Sequence, residues 1–374
     1  MTGTDTTPLH GLHLELGAKM IAFAGYDMPV QYRAGVMQEH LHTRAAVGLF
    51  DVSHMGQVRL SGPSWEMVAG AFETLVPMDV RGLADGRQRY GFFTNDAGGI
   101  EDDLMFARAG DDLMVVVNAA CKAADIAHMR ASLPGKISVE ELSDRALVAL
   151  QGPRAQAVMA GLDARAAQMR FMDVAELEPG GIAVVASRSG YTGEDGYEIS
   201  VPAPEAERLA RLLLAHEDVL PVGLGARDSL RLEAGLCLYG HDIDATTDPV
   251  SAALTWAIQK VRRPGGDRAG GFPGADVIFE RMEQEAGLRR VGLRPEGRAP
   301  MREGVQIFDS AQGGDPLGHV TSGGFGPTVG APVAMGYVPH ALSEAGTGLW
   351  GEVRGKRLPV TVAALPFVPA NFKR

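Results

Sequence analysis

The clearest hydrophobic pattern along the chain is a series of short apolar runs that begins at residue 88. The runs QRYGFFT (88–94), IEDDLMFAR (100–108) and LMVVV (113–117) are separated by the turn-forming stretches NDAGG and AGDD. Apolar and β-branched runs broken by Asn, Asp and Gly clusters are typical of strands joined by tight hairpins. The pattern therefore predicts an antiparallel meander of three strands.

Two aspartates stand in the middle run of this meander. Asp102 and Asp103 lie between Ile100 and Leu104, in a strand environment where carboxylates are depleted and costly unless they are paired. Because neighbouring strand residues face opposite sides of a sheet, one aspartate is expected to project into whatever the sheet covers. Only one of the two therefore needs to be functional.

Helical patterns flank the meander. Residues 63–76 begin with a proline, and residues 118–133 open on Asn118, which is predicted to cap the first turn of its helix. Further along, the pattern predicts a strand, a helix, a β ribbon and another helix, at residues 146–152, from 153, 181–202 and 203–216. Strands and helices mixed without strict βα repetition favour an α+β fold, with antiparallel sheets and flanking helices, over a doubly wound parallel sheet.

The pattern changes after a segment rich in glycine, proline and charge at residues 262–276, which predicts a domain boundary. A helical stretch, VIFERMEQEA (277–286), follows it. From about residue 286 onward the chain consists of short β runs punctuated by Gly and Pro. This texture predicts a small C-terminal β-barrel or jelly roll.

Composition narrows the class of protein. A chain of 374 residues suggests two or three domains. Its formal charge of −11 disfavours nucleic acid as a partner, and no apolar run approaches the roughly 18–20 residues that span a bilayer. The two cysteines, Cys121 and Cys237, are far apart, which argues against a disulfide framework and a structural zinc site. The start of the sequence resembles no leader peptide, so we expect a cytoplasmic protein.

The common catalytic motifs are absent from the sequence. The glycine-rich stretches at 223–228 and 323–330 lack the GxGxxG spacing, and no GxxxxGK[ST], HExxH or GxSxG occurs. Nicotinamide, nucleotide-triphosphate and metal-hydrolase chemistry therefore lose support. His54 and His241 are interpreted as structural.

Three polar groups of residues remain as candidate chemistry. Besides the aspartate pair, Glu198 lies on a predicted strand after the turn RSGYTGEDG, and Arg227 and Arg231 fall four residues apart on one helix face. A solvated strand face would explain Glu198 equally well, and a surface salt-bridge ladder would explain Arg227 and Arg231 equally well. Together, however, two acids and an arginine around one cavity would suit a pterin-like ligand, because a carboxylate accepts paired N–H donors and an arginine offers a fork to a carboxylate.

Longer segments carry a family resemblance. GLFDVSHMGQVRLSGP, YGFFTNDAGGIEDDL, SGYTGEDGYEISVP, ARDSLRLEAGLCLYGHDID, AMGYVP and PFVPANF occur in this order between about residue 10 and residue 372. In this respect the chain resembles the glycine cleavage system T-proteins, the aminomethyltransferases. The resemblance implies a three-domain cloverleaf with tetrahydrofolate in a central cavity. The implied domains are 1–54 with 145–200, 55–144 with 201–275, and a C-terminal barrel at 276–374.

The same resemblance implies the reaction. In this family, lipoylated H-protein delivers an aminomethyl group, ammonia is released, and the one-carbon unit passes to tetrahydrofolate as 5,10-methylenetetrahydrofolate. Dihydrolipoyl H-protein is the other product. Tetrahydrofolate is a co-substrate, and no metal, flavin or nicotinamide is needed; neither nucleic acid nor a membrane is expected as a partner.

By motif, the resemblance assigns the catalytic acid to Asp103, with Asp102 the weaker choice. Its other implications concern the folate and substrate pocket, whose walls would be formed by Tyr90, Tyr191, Glu198, Arg227, Arg231, Asn118 and Met55. Phe372 departs from the family, which often has a tyrosine there, so its ring can pack but any hydroxyl hydrogen bond is lost.

Two alternatives share the fold. One is a folate-dependent demethylase or the folate module of an amine-oxidising enzyme; the lack of a fused GxGxxG domain counts against the oxidase form. The other is a folate-binding protein without transfer activity. The aspartate pair argues against it, because a simple binder has no evident need for a buried acid.

Overall fold

A computed structural model describes residues 4–284 and 287–374 of the chain. The last two residues of the predicted helix 277–286 lie outside this part, as do residues 1–3 of the first predicted domain. The α-helices are His10–Glu15, Val36–Ala45, Trp65–Phe72, Lys122–Ser132, Ala155–Leu162, Ala206–Leu214, Leu224–Glu233 and Ala275–Gln284. Among the described residues, none of these helices is long and apolar enough to cross a lipid bilayer.

The predicted meander lies within a five-stranded antiparallel sheet. In spatial order its strands are Gln88–Thr94, Ile100–Ala109, Asp112–Val117, Gly56–Ser61 and Ser138–Glu141. Apolar side chains of this sheet pack against the helices Trp65–Phe72 and Lys122–Ser132 in one hydrophobic core. The predicted order and pairing of the three meander strands are thus confirmed.

A second, six-stranded sheet is covered on both faces. Its strands in spatial order are Val174–Leu177, Val184–Ser187, Gly196–Pro202, Arg145–Gln151, Val47–Asp51 and Val219–Pro221. On the central strand, Val148 and Leu150 pack into one core, whereas Leu147 and Ala149 pack with helix Leu224–Glu233 on the other face. Alternation of the strand sends successive apolar residues to opposite layers, and this explains why ALVAL (146–150) is apolar throughout.

Sheet membership differs from the prediction in one segment. The strand Val219–Pro221 pairs in parallel with Val47–Leu49, and helix Ala206–Leu214 packs on the same six-stranded sheet. The prediction had grouped residues 201–275 with the other sheet. Leu209 and Leu213 decide the position of the helix, because their buried side chains fill the core of the six-stranded sheet. The rest of the predicted domain division stays a prediction.

The C-terminal part forms a closed antiparallel barrel. In order around the barrel its strands are Leu288–Pro295, Ala331–Pro339, Gly318–Gly326, Gln306–Phe308, Gly348–Val353 and Lys356–Ala363. A separate two-stranded hairpin, Lys19–Phe23 with Tyr26–Gln31, lies near the N-terminus. Antiparallel sheets, flanking helices and a C-terminal barrel confirm the predicted α+β class.

Candidate functional site

Asp103 lies on the middle strand of the meander and is only partly exposed. Its Oδ2 accepts a hydrogen bond from the Tyr90 hydroxyl at 3.0 Å, and its Oδ1 accepts one from Nδ2 of Asn118 at 2.7 Å. Burial raises the pKa of Asp103 to about 7, and the negative charge of Asp102 adds to the effect. A carboxyl group with a pKa near neutrality can exchange a proton at physiological pH.

Asp102 projects to the other face of the strand and is fully buried. Nδ2 of Asn118 donates to Asp102 Oδ1 at 2.9 Å, and the Asn118 backbone N–H donates to Asp102 Oδ2 at 3.1 Å. One asparagine therefore bridges both aspartates. The prediction that Asn118 caps a helix was wrong: the helix begins at Lys122, after Cys121, because the Asn118 side chain is used by the two carboxyl groups instead.

Glu198 and Arg227 form a second pair of charges. Glu198 lies on the strand Gly196–Pro202, and Ser189 Oγ donates to its Oε2 at 3.3 Å. Burial raises the pKa of Glu198, and the nearby charge of Arg227 opposes that rise. The two side chains are therefore close enough to interact, although they belong to different elements.

Arg227 has an unused hydrogen-bond donor. Its guanidinium lies over the ring of Tyr191, 4.7 Å from the centroid. Burial lowers its pKa, and Glu198 and Tyr191 oppose this effect. Within the described part of the chain, no acceptor reaches its buried Nη1. Buried polar groups are nearly always hydrogen-bonded, so this donor is suited to an acceptor on a bound molecule.

Tyr191 and Tyr90 connect the two groups of charges. The Tyr191 hydroxyl donates to the Cys237 carbonyl oxygen. Burial raises the pKa of both tyrosines well above the ordinary value, and Asp103 raises each of them further. Arg231, and to a lesser extent Arg227, act on Tyr191 in the opposite direction. Asp103, Tyr90, Tyr191, Arg227 and Glu198 thus share one electrostatic environment.

The exposure of these five side chains indicates a cavity wall. Each keeps some accessible surface, yet burial is the largest influence on the pKa of each one. Side chains that keep some contact with solvent while densely surrounded by protein atoms line a recess. Aromatic faces, two acids and an arginine give this recess few but convergent polar groups, which is typical of small-molecule sites.

Two residues of the site were missed by the sequence reasoning. The Trp256 ring stacks on Tyr90 at a centroid distance of 5.5 Å and an angle of 22°, yet it is 62% exposed. His54, interpreted above as structural, is buried, and its Nδ1 has no partner among the described residues. Burial and then Arg227 lower its pKa to about 4. Neither residue belongs to a motif that sequence analysis could have used, because the exposure of Trp256 and the missing partner of His54 are properties of the fold.

The structure does not bring every predicted residue into this recess. Arg231 is saturated by protein partners: its guanidinium donates to Asp228, Asp242, the Leu236 carbonyl and Ser322. The bond to Ser322 joins its helix to the barrel strand Gly318–Gly326, while its charge lowers the pKa of Tyr191. Its supporting role is therefore structural in the free protein, and it has no spare donor for folate.

The other two predicted residues lie in apolar surroundings. The Phe372 ring stacks on Phe171, with centroids 4.1 Å apart and planes 9° apart, so a ring without a hydroxyl is sufficient for this contact. Met55 packs with the core that includes Phe50 and Leu230, between the six-stranded sheet and helix Leu224–Glu233. In sequence it follows His54 directly.

Comparison with known proteins matches two family models, one after the other, along the chain. The model of the GCVT N-terminal domain matches residues 9–262, and that of the glycine cleavage T-protein C-terminal barrel domain matches residues 289–369. The chain is 44% identical to the mitochondrial aminomethyltransferase of Dictyostelium discoideum, covering 98% of this chain and 93% of the relative. It is 45% identical to the mitochondrial aminomethyltransferase of Homo sapiens, covering 98% and 90%.

A solved structure agrees with these relatives over the whole chain. The crystal structure of glycine cleavage system aminomethyltransferase T from Bartonella henselae superposes with a TM-score of 0.92 at 44% identity, covering 100% of both chains. Two family models in tandem and identities above 40% over nearly the full length leave one assignment. The chain belongs to the glycine cleavage T-protein family.

Proposed function

We propose that this chain is the aminomethyltransferase of a glycine cleavage system and that Asp103 is its acid–base residue. The supporting observation is the Asp103 carboxyl group, which is partly exposed, is held by Tyr90 and Asn118, and has a pKa raised to about 7. The proposed substrates are lipoylated H-protein carrying an aminomethyl group and tetrahydrofolate. The products are ammonia, 5,10-methylenetetrahydrofolate and dihydrolipoyl H-protein.

Tetrahydrofolate supplies one ring amine and one side-chain amine, which together take up the one-carbon unit. The residues present suit such a ligand: Glu198 offers a carboxylate to paired N–H donors, and Arg227 has a donor without an acceptor. The positive charge of Arg227 keeps Glu198 more ionised than burial alone would allow. Trp256 and Tyr90 present stacked aromatic faces to a flat ring system.

Asp103 acts by charge and by proton transfer. As the carbon–sulfur bond to the lipoyl arm breaks, positive charge develops on the carbon and nitrogen of the aminomethyl group. A carboxylate in a water-poor recess stabilises that charge more than it would in bulk water. The same carboxylate can then accept the proton that the attacking amine loses. Tyr90 and Asn118 hold its two oxygens in place throughout.

A test needs the complete reaction. Purified chain is mixed with aminomethyl-loaded, lipoylated H-protein and tetrahydrofolate, and ammonia and methylenetetrahydrofolate are followed together. We expect both products in equal amounts, and no folate product when the H-protein is unloaded. A rate no greater than that without the chain would refute the proposal. Dimethylglycine as the one-carbon donor, supplied with an electron acceptor to take up the two electrons released when its N-methyl group is oxidised, tests the folate-dependent demethylase; no feature of the site specifically favours that activity.

Placement in the cytoplasm stays a prediction, since the relatives named above are mitochondrial proteins. Cell fractionation followed by detection of the chain would test it.

A further inference from the structure

A third carboxyl group lies behind the aspartate pair. Asp125 is in the first turn of helix Lys122–Ser132 and is 4% exposed, while Asp102 is 0% exposed. The two side chains are in hydrogen-bond contact with each other. Two carboxylates offer only acceptors. A contact between them therefore requires one proton.

The neighbours of the pair decide which carboxyl carries that proton. Asp102 accepts two N–H hydrogen bonds from Asn118, at 2.9 and 3.1 Å, and N–H donors favour the ionised form. Among the described residues, no donor reaches Oδ2 of Asp125. Burial, followed by Asp102, raises the pKa of Asp125, whereas the rise that burial causes in the pKa of Asp102 is opposed by its hydrogen bonds with Asp125 and Asn118. The proton therefore belongs on Asp125, and the charge belongs on Asp102.

This arrangement reaches Asp103 by two routes. Nδ2 of Asn118 touches Asp102 Oδ1 and Asp103 Oδ1 at once, at 2.9 and 2.7 Å. The charge of Asp102 also contributes to the raised pKa of Asp103. Other titratable groups that act on these carboxyls, or are acted on by them, include Glu101, Cys121 and Tyr239 around the pair, and Tyr90, Tyr191 and Cys237 around Asp103. Glu101 acts in turn on His128 of the same helix, and Asp244 acts on Tyr239.

We propose that Asp125 is a positioning residue for the transfer reaction: its carboxylic acid donates to Asp102, keeps Asp102 ionised, and so fixes Asn118 and the charge next to Asp103. The proposal rests on the function proposed above for Asp103. It assigns Asp125 no contact with either substrate. Its effect on turnover passes through the proton affinity of Asp103.

Two substitutions, Asp125→Asn and Asp125→Ala, distinguish the effect of a hydrogen-bond donor at residue 125 from the effect of a negative charge there. An asparagine amide can donate to Asp102 as the protonated acid does, whereas alanine cannot. In Asp125→Ala, Asp102 loses a donor and binds a proton at higher pH, which removes its repulsion on Asp103. The acid limb of the pH–rate profile should then move down by about one pH unit, in the range typical of removing a neighbouring carboxylate. Asp125→Asn should restore the limb to within a few tenths of a unit of wild type.

Two outcomes of this experiment would overturn the proposal. If Asp125 is ionised in the wild type, Asp125→Asn removes a negative charge and lowers the acid limb at least as far as Asp125→Ala does. Equal profiles for all three proteins would also overturn the proposal. In the first case Asp125 would act on Asp103 by its own negative charge and not as a donor to Asp102, and in the second it would have no role in setting Asp103.

Infrared titration tests the proposal without turnover. A buried carboxylic-acid C=O band should persist above pH 7.5 in the wild type and vanish in Asp125→Asn. The Asp103 band, identified by its loss in Asp103→Asn, should titrate at lower pH in Asp125→Ala. Absence of the first band, or an unmoved second one, would refute the proposal even in a protein with no transferase activity. Loss of activity with both bands as expected would refute only the proposed function.

Discussion

Replacing Asp103 with asparagine should make the protein more stable and much less active. Asparagine keeps both contacts, since its Oδ1 can accept from Asn118 and its amide can donate to the Tyr90 hydroxyl. It removes the carboxylate, so turnover should fall about 10²-fold or more, as expected on losing acid–base and electrostatic assistance. Folate affinity should change less, because Glu198 and Arg227 remain.

The gain in stability follows from the raised pKa. The pKa of Asp103 rises from an ordinary value of 3.8 to about 7 in the folded protein. Below pH 3.8 both states are protonated and the folded state has no penalty. As pH rises from 3.8 through 7, the unfolded state ionises first, so the wild type loses stability. A shift of about three units corresponds to about 4 kcal/mol in total, and to about 2.5 kcal/mol between pH 5 and pH 8.

Urea unfolding at pH 5 and pH 8, followed by tryptophan fluorescence, measures this difference. Asp103→Asn should gain about 2.5 kcal/mol relative to wild type between the two pH values. Asp96→Asn is the matched control, since Asp96 is an exposed aspartate in the turn before the same strand. A difference between Asp103→Asn and wild type that stays the same at both pH values would show that Asp103 is not held in a costly environment.

The remaining predictions concern the pocket, a close backbone contact and a buried ion pair. Glu198→Gln should weaken tetrahydrofolate binding more than it slows bound turnover; equal affinity by calorimetric titration would remove the pterin assignment. Gly99→Ala should lower the free energy of unfolding by about 2 kcal/mol or more, because its Cβ would lie 1.9 Å from the Ala245 carbonyl oxygen; an unchanged urea midpoint would contradict the fit. Burial would raise the pKa of Glu233, but the hydrogen bond from His40 and others lower it to about 2, so Glu233→Gln should destabilise by about 3 kcal/mol near pH 7, and wild-type stability should fall as pH drops from about 4.5 towards 2. Thermal unfolding of the wild type and of Glu233→Gln, at pH 7 and at low pH, measures both effects. Equal melting temperatures for the two proteins at pH 7 would contradict the prediction.

Local pattern determined the strands and the separation of the two aspartates. Turn residues at NDAGG and AGDD set the meander, and the period of two in a strand sent Asp102 and Asp103 to opposite faces. Long, ordered motifs determined the family, because several specific segments agree along nearly the whole chain. These features depend on neighbours in sequence, so the sequence alone contains them.

Partners that are distant in sequence were decided only by the tertiary structure. A local rule assigned Asn118 to a helix cap, but its side chain bridges Asp102 and Asp103 on an adjacent strand. The same helical spacing placed Arg227 and Arg231 together, yet partners on its own helix, the following loop and the barrel saturate Arg231, whereas Nη1 of Arg227 has no partner among the described residues.

Asp125 shows the same division most clearly. In the sequence it is an ordinary acid on a helix, and no periodicity connects it with a strand residue 23 positions earlier. Packing of that helix on the five-stranded sheet puts its carboxyl against Asp102 and removes water from both. Proton affinity depends on such desolvation and on nearby charges. The chain therefore encodes which acids are present, while the fold decides which of them keeps its proton.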